Sequence, residues 1–138
     1  STASEGTRLD AVVLGGPHFS YGEFERLARA IERQGREILA SHVRFVVLTS
    51  QTSYGLLERS RFLDTILGFG AEIIRDTCTF HAPILSSDVS VIMTNSGKHA
   101  YYAPGELGVD IGFGSIGDCV HSAVEGVICR ESRPWNSD

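Results

Sequence analysis

Apolar and polar positions alternate in blocks along this chain, and the blocks change period. Leu9 to Leu14 is a continuous apolar run broken only by Asp10, and it reads as a short buried strand ending in Gly15-Gly16-Pro17-His18-Phe19-Ser20. Ser20 with Glu23 has the spacing of a capping box. Phe24, Leu27, Ala28 and Ile31 then follow at intervals of three and four, which is one face of a helix. Gly35 interrupts this helix, and Ile38-Leu39 continue its apolar face. Val43 to Leu48 is a second buried strand. The polar run Thr49-Ser50-Gln51-Thr52-Ser53 caps a second helix reaching about Leu67, with Leu56, Leu57, Phe62 and Ile66 turned inward and Gly68-Phe69-Gly70 ending it. Three more strands are predicted over Ala71–Ile74, Val89–Met93 and Gly108–Phe113. Gly114-Ser115 opens a last helix carrying Cys119, Val120, Ala123 and Val127.

Strands alternating with helices, each strand apolar throughout, predict an α/β fold. It is a three-layer domain with a mainly parallel sheet of about five strands and helices on both faces. Residues 1–9 read as a linker, 10–129 as a single α/β domain, and 130–138 as a polar tail. In open sheets of this kind ligands bind outside the carboxyl ends of the strands. Five polar segments fall there: Gly15 to Ser20, Thr49 to Ser53, Asp76 to His81, Thr94 to Lys98, and Gly114 to Cys119.

Composition narrows the partners. The 138 residues have a formal net charge of −5, and Lys and Arg are scattered. Nucleic acid is therefore disfavoured, and no apolar run is long enough to span a membrane. Three cysteines (Cys78, Cys119, Cys129) are too few for a disulfide framework and suit a reducing, cytoplasmic setting.

The chemistry gathers in a few stretches. Thr94-Asn95-Ser96-Gly97-Lys98 offers an amide, hydroxyls, a loosened backbone and an ammonium, which together can hold an anionic oxygen. It lacks the first glycine and the spacing of a Walker A loop. The Gly-Pro turn before Ser20 frees backbone N–H groups at a helix start, and His18 beside it can orient an anion. Cys78 follows a strand, and Cys119 lies near a helix start, where the dipole favours a thiolate. Two such thiols on one rim suit a soft metal or an iron–sulfur cluster; the alternative is that both are small core residues. Cys78 and His81 could also form a nucleophilic dyad. Cys129 reads as structural.

In this order and spacing, Gly16-Pro17-His18-Phe19-Ser20, Asp76-Thr77-Cys78, Thr94-Asn95-Ser96-Gly97-Lys98 with Tyr102-Ala103-Pro104-Gly105, and Phe113-Gly114-Ser115 with Cys119 resemble the C-terminal part of the large subunit or region of aconitase X. The resemblance runs from about residue 10 to about residue 127. It implies a hydro-lyase that dehydrates cis-3-hydroxy-L-proline, the favoured substrate, or mevalonate 5-phosphate, at an iron–sulfur cluster or mononuclear iron. It further implies Cys78 and Cys119 as metal ligands, and His18, Ser20, Asn95, Ser96 and Lys98 in the substrate pocket. A further cysteine ligand and a serine base would come from outside this chain, the base from a small swivelling domain or subunit. The chain alone is then expected to be inactive. The competing expectation is a non-catalytic, flavodoxin-like module that binds an anion or forms a subunit contact.

Overall fold

The structure is a computed structural model that describes residues 4–35, 38–75, 89–95 and 110–130. The elements run β1 (Ala11–Phe19), α1 (Tyr21–Arg33), β2 (Arg44–Thr49), α2 (Gln51–Glu58), α3 (Phe62–Phe69), β3 (Glu72–Arg75), β4 (Val91–Thr94), β5 (Asp110–Phe113) and α4 (Ile116–Glu125). The strands form one five-stranded sheet in the order β3-β2-β1-β4-β5, and every pairing is parallel. This is the α/β class and parallel sheet that the apolar runs predict.

Period-two alternation sorts the strand residues onto two faces. Val12, Leu14, Phe45, Val47, Val91 and Met93 join the larger apolar cluster, while Ala11, Val13, Val46, Leu48, Ile92 and Ile111 form the second. All four described helices add their buried residues to the larger cluster, among them Leu27 of α1, Leu57 of α2, Ile66 of α3 and Val120 of α4. Among the described residues the helices therefore cover one face. The helices predicted for the other face are not among the described residues. Edge-to-face pairs fasten the helical layer to the strands, Phe19 on Phe24 at 5.0 Å and Phe45 on Phe69 at 5.2 Å between ring centroids.

Four local expectations change. Helix α1 ends at Arg33, so Ile38 and Leu39 do not extend it, and Ile38 is exposed. The long second helix is two helices. Ser60 turns the chain between them, its hydroxyl donating to the Leu57 carbonyl while its oxygen accepts from the Phe62 N–H. In α2 the buried residue is Leu57, and Leu56 faces outward, 48% exposed rather than packed inward. Helix α4 ends at Glu125, two residues short of Val127. The stretch expected as a linker is docked where it is described. Leu9 is buried, its N–H donates to the Gly126 carbonyl, and Arg8 forms an antiparallel bridge with Val127.

Strand order decides where a ligand can sit. The chain moves outward from β1 through β2 to β3, then returns to β4 on the far side of β1. Between β1 and β4 the winding direction reverses, and such a switch point opens a crevice outside the carboxyl ends of the strands. At the amino ends the same two strands are tied by Asp10, whose Oδ2 accepts from the Ser90 and Val91 N–H groups, each at 3.0 Å.

Candidate functional site at the carboxyl edge

Three helices begin at this edge, each with a serine cap. Ser20 caps α1: its Oγ accepts from the Glu23 N–H, and its own N–H donates to the Glu23 carboxylate at 2.9 Å. Ser50, rather than Thr49, caps α2 through the Ser53 N–H. Ser115 caps α4 in a second capping box, paired with Asp118. Thr49 instead closes β2, fully buried, and its hydroxyl donates to the Phe19 carbonyl at 2.7 Å. That bond ties the end of β1 to the end of β2.

The segment from Gly15 to Phe19 leaves the regular ladder. The β1–β2 register shifts between Leu14 and Phe19, and Gly15 adopts φ +96°. The bulge carries His18, which is exposed, and delivers Ser20 to the start of α1. The Ser20 oxygen serves the cap as an acceptor, which leaves its hydroxyl proton outside the capping bonds.

Asn95 follows β4 directly, on the other side of the switch point. Its Oδ1 is buried and meets no hydrogen-bond donor among the described residues. A buried acceptor left without a partner costs free energy, and such groups in native structures mark strain, function or a missing ligand. Beyond it, Gly114 extends the β4–β5 ladder by donating to the Thr94 carbonyl at 3.1 Å. A Cβ at Gly114 would come within 2.6 Å of Met93 Cε and 2.8 Å of Asp118 Cβ. Glycine there lets the first turn of α4 close against the end of β4.

Three sequence-predicted residues, His18, Ser20 and Asn95, thus share one edge on neighbouring strands. Ser96 and Lys98 lie outside the described residues, as do Cys78 and His81 with the dyad they would form. Arg75 was not singled out by the sequence pattern, although it stands between the third apolar run and Asp76-Thr77-Cys78.

Cys119 is fully buried in the larger cluster, on the core side of α4. Burial pushes its thiol well above the ordinary value of 9.0, and the Asp118 carboxylate pushes it further. At this position desolvation outweighs the helix dipole, and the thiol holds its proton. Cys129 is half-buried, with its backbone N–H and carbonyl both bonded to Ser122 Oγ. Among the described residues no three His, Cys, Asp or Glu side chains gather as a ligand set. Of the two thiols expected as ligands only Cys119 is among the described residues, and one thiol does not by itself make an iron or iron–sulfur site.

A pH dependence follows from Cys119. The native state keeps this proton above pH 9, where the unfolded chain has lost it. The contribution is therefore complete below pH 9 and declines above it, by at most about 1.4 kcal/mol per pH unit. Urea unfolding between pH 7 and 10.5 should show a steeper alkaline loss for the native chain than for Cys119→Ala. Equal slopes would contradict the assignment.

The family model for the aconitase X third domain matches residues 9–125. The chain belongs to the aconitase X family. It is 37% identical over 122 residues to a cis-3-hydroxy-L-proline dehydratase of Pseudomonas aeruginosa, covering 87% of this chain and 20% of that protein. It is 34% identical over 128 residues to the protein of the same name from Hypocrea jecorina, covering 91% and 21%. A phosphomevalonate dehydratase large subunit of Methanosarcina mazei is 31% identical over 124 residues, covering 89% and 29%. The crystal structure of Thermococcus kodakaraensis aconitase X in its holo-form has the same fold, with a TM-score of 0.76 at 23% identity over 88% of this chain and 30% of that one. These curated relatives are dehydratases, and this aconitase X domain spans between a fifth and three tenths of their lengths. Among the described residues no helix is long and apolar enough to cross a membrane.

Proposed function

We propose that this aconitase X domain forms one wall of the active site of a hydro-lyase that removes water from a hydroxy acid. The observation that carries the reading is the match over residues 9–125, nearly all of the domain, to the third domain of a family whose curated relatives here are dehydratases. The greater identity to the two hydroxyproline dehydratases favours cis-3-hydroxy-L-proline over mevalonate 5-phosphate.

Dehydration separates a hydroxyl from one carbon and a proton from its neighbour, and negative charge builds up on the substrate as they leave. In this proposal the chain's part is to hold the substrate against that charge. Asn95 uses its amide at the switch point, and Ser20 donates its hydroxyl proton from the start of α1. Ser96 and Lys98 follow Asn95 in sequence and complete the anion-holding stretch. His18 sits on the bulge and orients the substrate from the β1 side. Cys78 and Cys119 are proposed as this chain's thiol donors to an iron centre, for which Cys119 would give up the proton it holds in the metal-free chain; such a centre would supply a Lewis acid for the departing hydroxyl. A further cysteine ligand and the base come from the remainder of the large region and from a small swivelling domain or subunit.

The test compares the complete protein with the isolated chain on both compounds. The complete protein should dehydrate one of them, and the chain alone should not. Replacing Cys78 and Cys119 with alanine in the complete protein should remove bound iron and turnover together. Turnover by the isolated chain, or full iron content in the double variant, would overturn the corresponding part of the reading.

A further inference from the structure

The carboxyl edge carries a cation that the hydro-lyase reading leaves without a role. Arg75 is the last residue of β3; it is in register with Thr49, and Thr49 is in register with Phe19. The three positions form one row across adjacent strands. Two strand spacings place the Arg75 backbone about 10 Å from Phe19, whose sequence neighbours are His18 and Ser20.

Parity sets the direction of the side chain. Ile73 packs against the larger cluster on the helical face, and a residue two further along a strand points the same way. On that face the guanidinium carbon of Arg75 lies 4.5 Å from the centroid of the Tyr54 ring, on α2. At that distance the ring attracts the cation through its electron-rich face. Tyr54 thus steadies a planar donor group at the edge where the other candidate residues stand.

The surrounding charge agrees. At α1 and α4 a first-turn carboxylate, Glu23 or Asp118, occupies the cap N–H. The first turn of α2 has no acidic residue. An anion arriving beside Arg75 therefore meets no carboxylate from the helix start next to it.

We propose that Arg75, steadied by Tyr54, binds the anionic group of the substrate, a carboxylate or phosphate that dehydration leaves unchanged. Arg75 is then a specificity-determining residue, and its planar fork suits a bidentate oxygen pair. The inference rests on the hydro-lyase reading.

The experiment uses the complete enzyme, with steady-state kinetics on cis-3-hydroxy-L-proline and on mevalonate 5-phosphate. Arg75→Gln should raise KM about 30-fold, with kcat within about threefold of the parent. Arg75→Lys should recover part of that loss, and added guanidinium should partly rescue Arg75→Gln. Tyr54→Leu should raise KM several-fold with Arg75 still present. A loss on hydroxyproline assigns the contact to a carboxylate, and a loss confined to the phosphorylated compound assigns it to the phosphate. Should the parent dehydrate its substrate while folded Arg75→Gln and Arg75→Lys both keep the parental KM, the inference falls and the hydro-lyase reading stands. If the parent dehydrates neither compound, both fall.

Discussion

Replacing Gly15 with alanine should destabilise the chain by about 3 kcal/mol or more. Gly15 has φ +96°, a conformation that costs a side-chain-bearing residue strain by itself. The added Cβ would also fall on the Leu48 carbonyl oxygen and lie 3.2 Å from both the Leu48 carbonyl carbon and the Phe19 N. All of these are backbone atoms of the central strand pair, so no side chain can swing away to make room. Relief would require β1 to move from β2, breaking the row that sets His18 and Ser20 at the edge. Gly55→Ala makes the contrast. That position lies inside α2, has open space around its Cβ direction and has no positive φ. Alanine there should leave stability unchanged or raise it by about 0.5–1 kcal/mol. Urea midpoints of the two variants against the parent measure both effects. A Gly15→Ala midpoint equal to the parent's would mean that the bulge relaxes freely.

Asn95→Ala should separate stability from function. Its buried Oδ1 has no donor among the described residues, so alanine there deletes a desolvated group and breaks no hydrogen bond to them. The folded chain should be as stable as the parent, or more stable by up to about 1 kcal/mol. Turnover of the complete enzyme should nevertheless fall about 100-fold, because alanine also removes the side-chain Nδ2–H group, the donor that the proposal aims at developing charge. Parallel urea unfolding and initial-rate measurements test both halves. A variant with parental activity would remove Asn95 from the substrate pocket. One that lost several kcal/mol would show that the amide holds the fold instead.

Much of this architecture is legible in the chain because the signals are local. Ser20 and Glu23 announce the start of α1 through a spacing of three, and the capping box is there. The apolar runs before Gly15, Thr49 and Asn95 mark buried strands, and β1, β2 and β4 carry buried residues on both faces of the sheet. The ordered set of motifs around Gly16, Cys78, Asn95 and Gly114 points to the aconitase X family, and the match over residues 9–125 bears that out.

Distant contacts decided the rest. Leu56 has helical spacing with its neighbours, yet it faces solvent, because α2 is a short separate helix whose buried residue is Leu57. Cys119 sits where a helix dipole favours a thiolate, but the apolar side chains packed around it come from elements far away in sequence, and their desolvation prevails. Arg75 looks like an ordinary end to a strand until the β2–β3 register and the placement of α2 bring it over Tyr54. Period and caps are properties of neighbouring residues, so they were enough to locate the strands and the capped helix starts in order along the chain, though not the Ser60 turn that splits the second helix. Strand order, the switch point between β1 and β4, and the burial of each candidate group arise from packing between elements tens of residues apart, and only the tertiary structure could decide them.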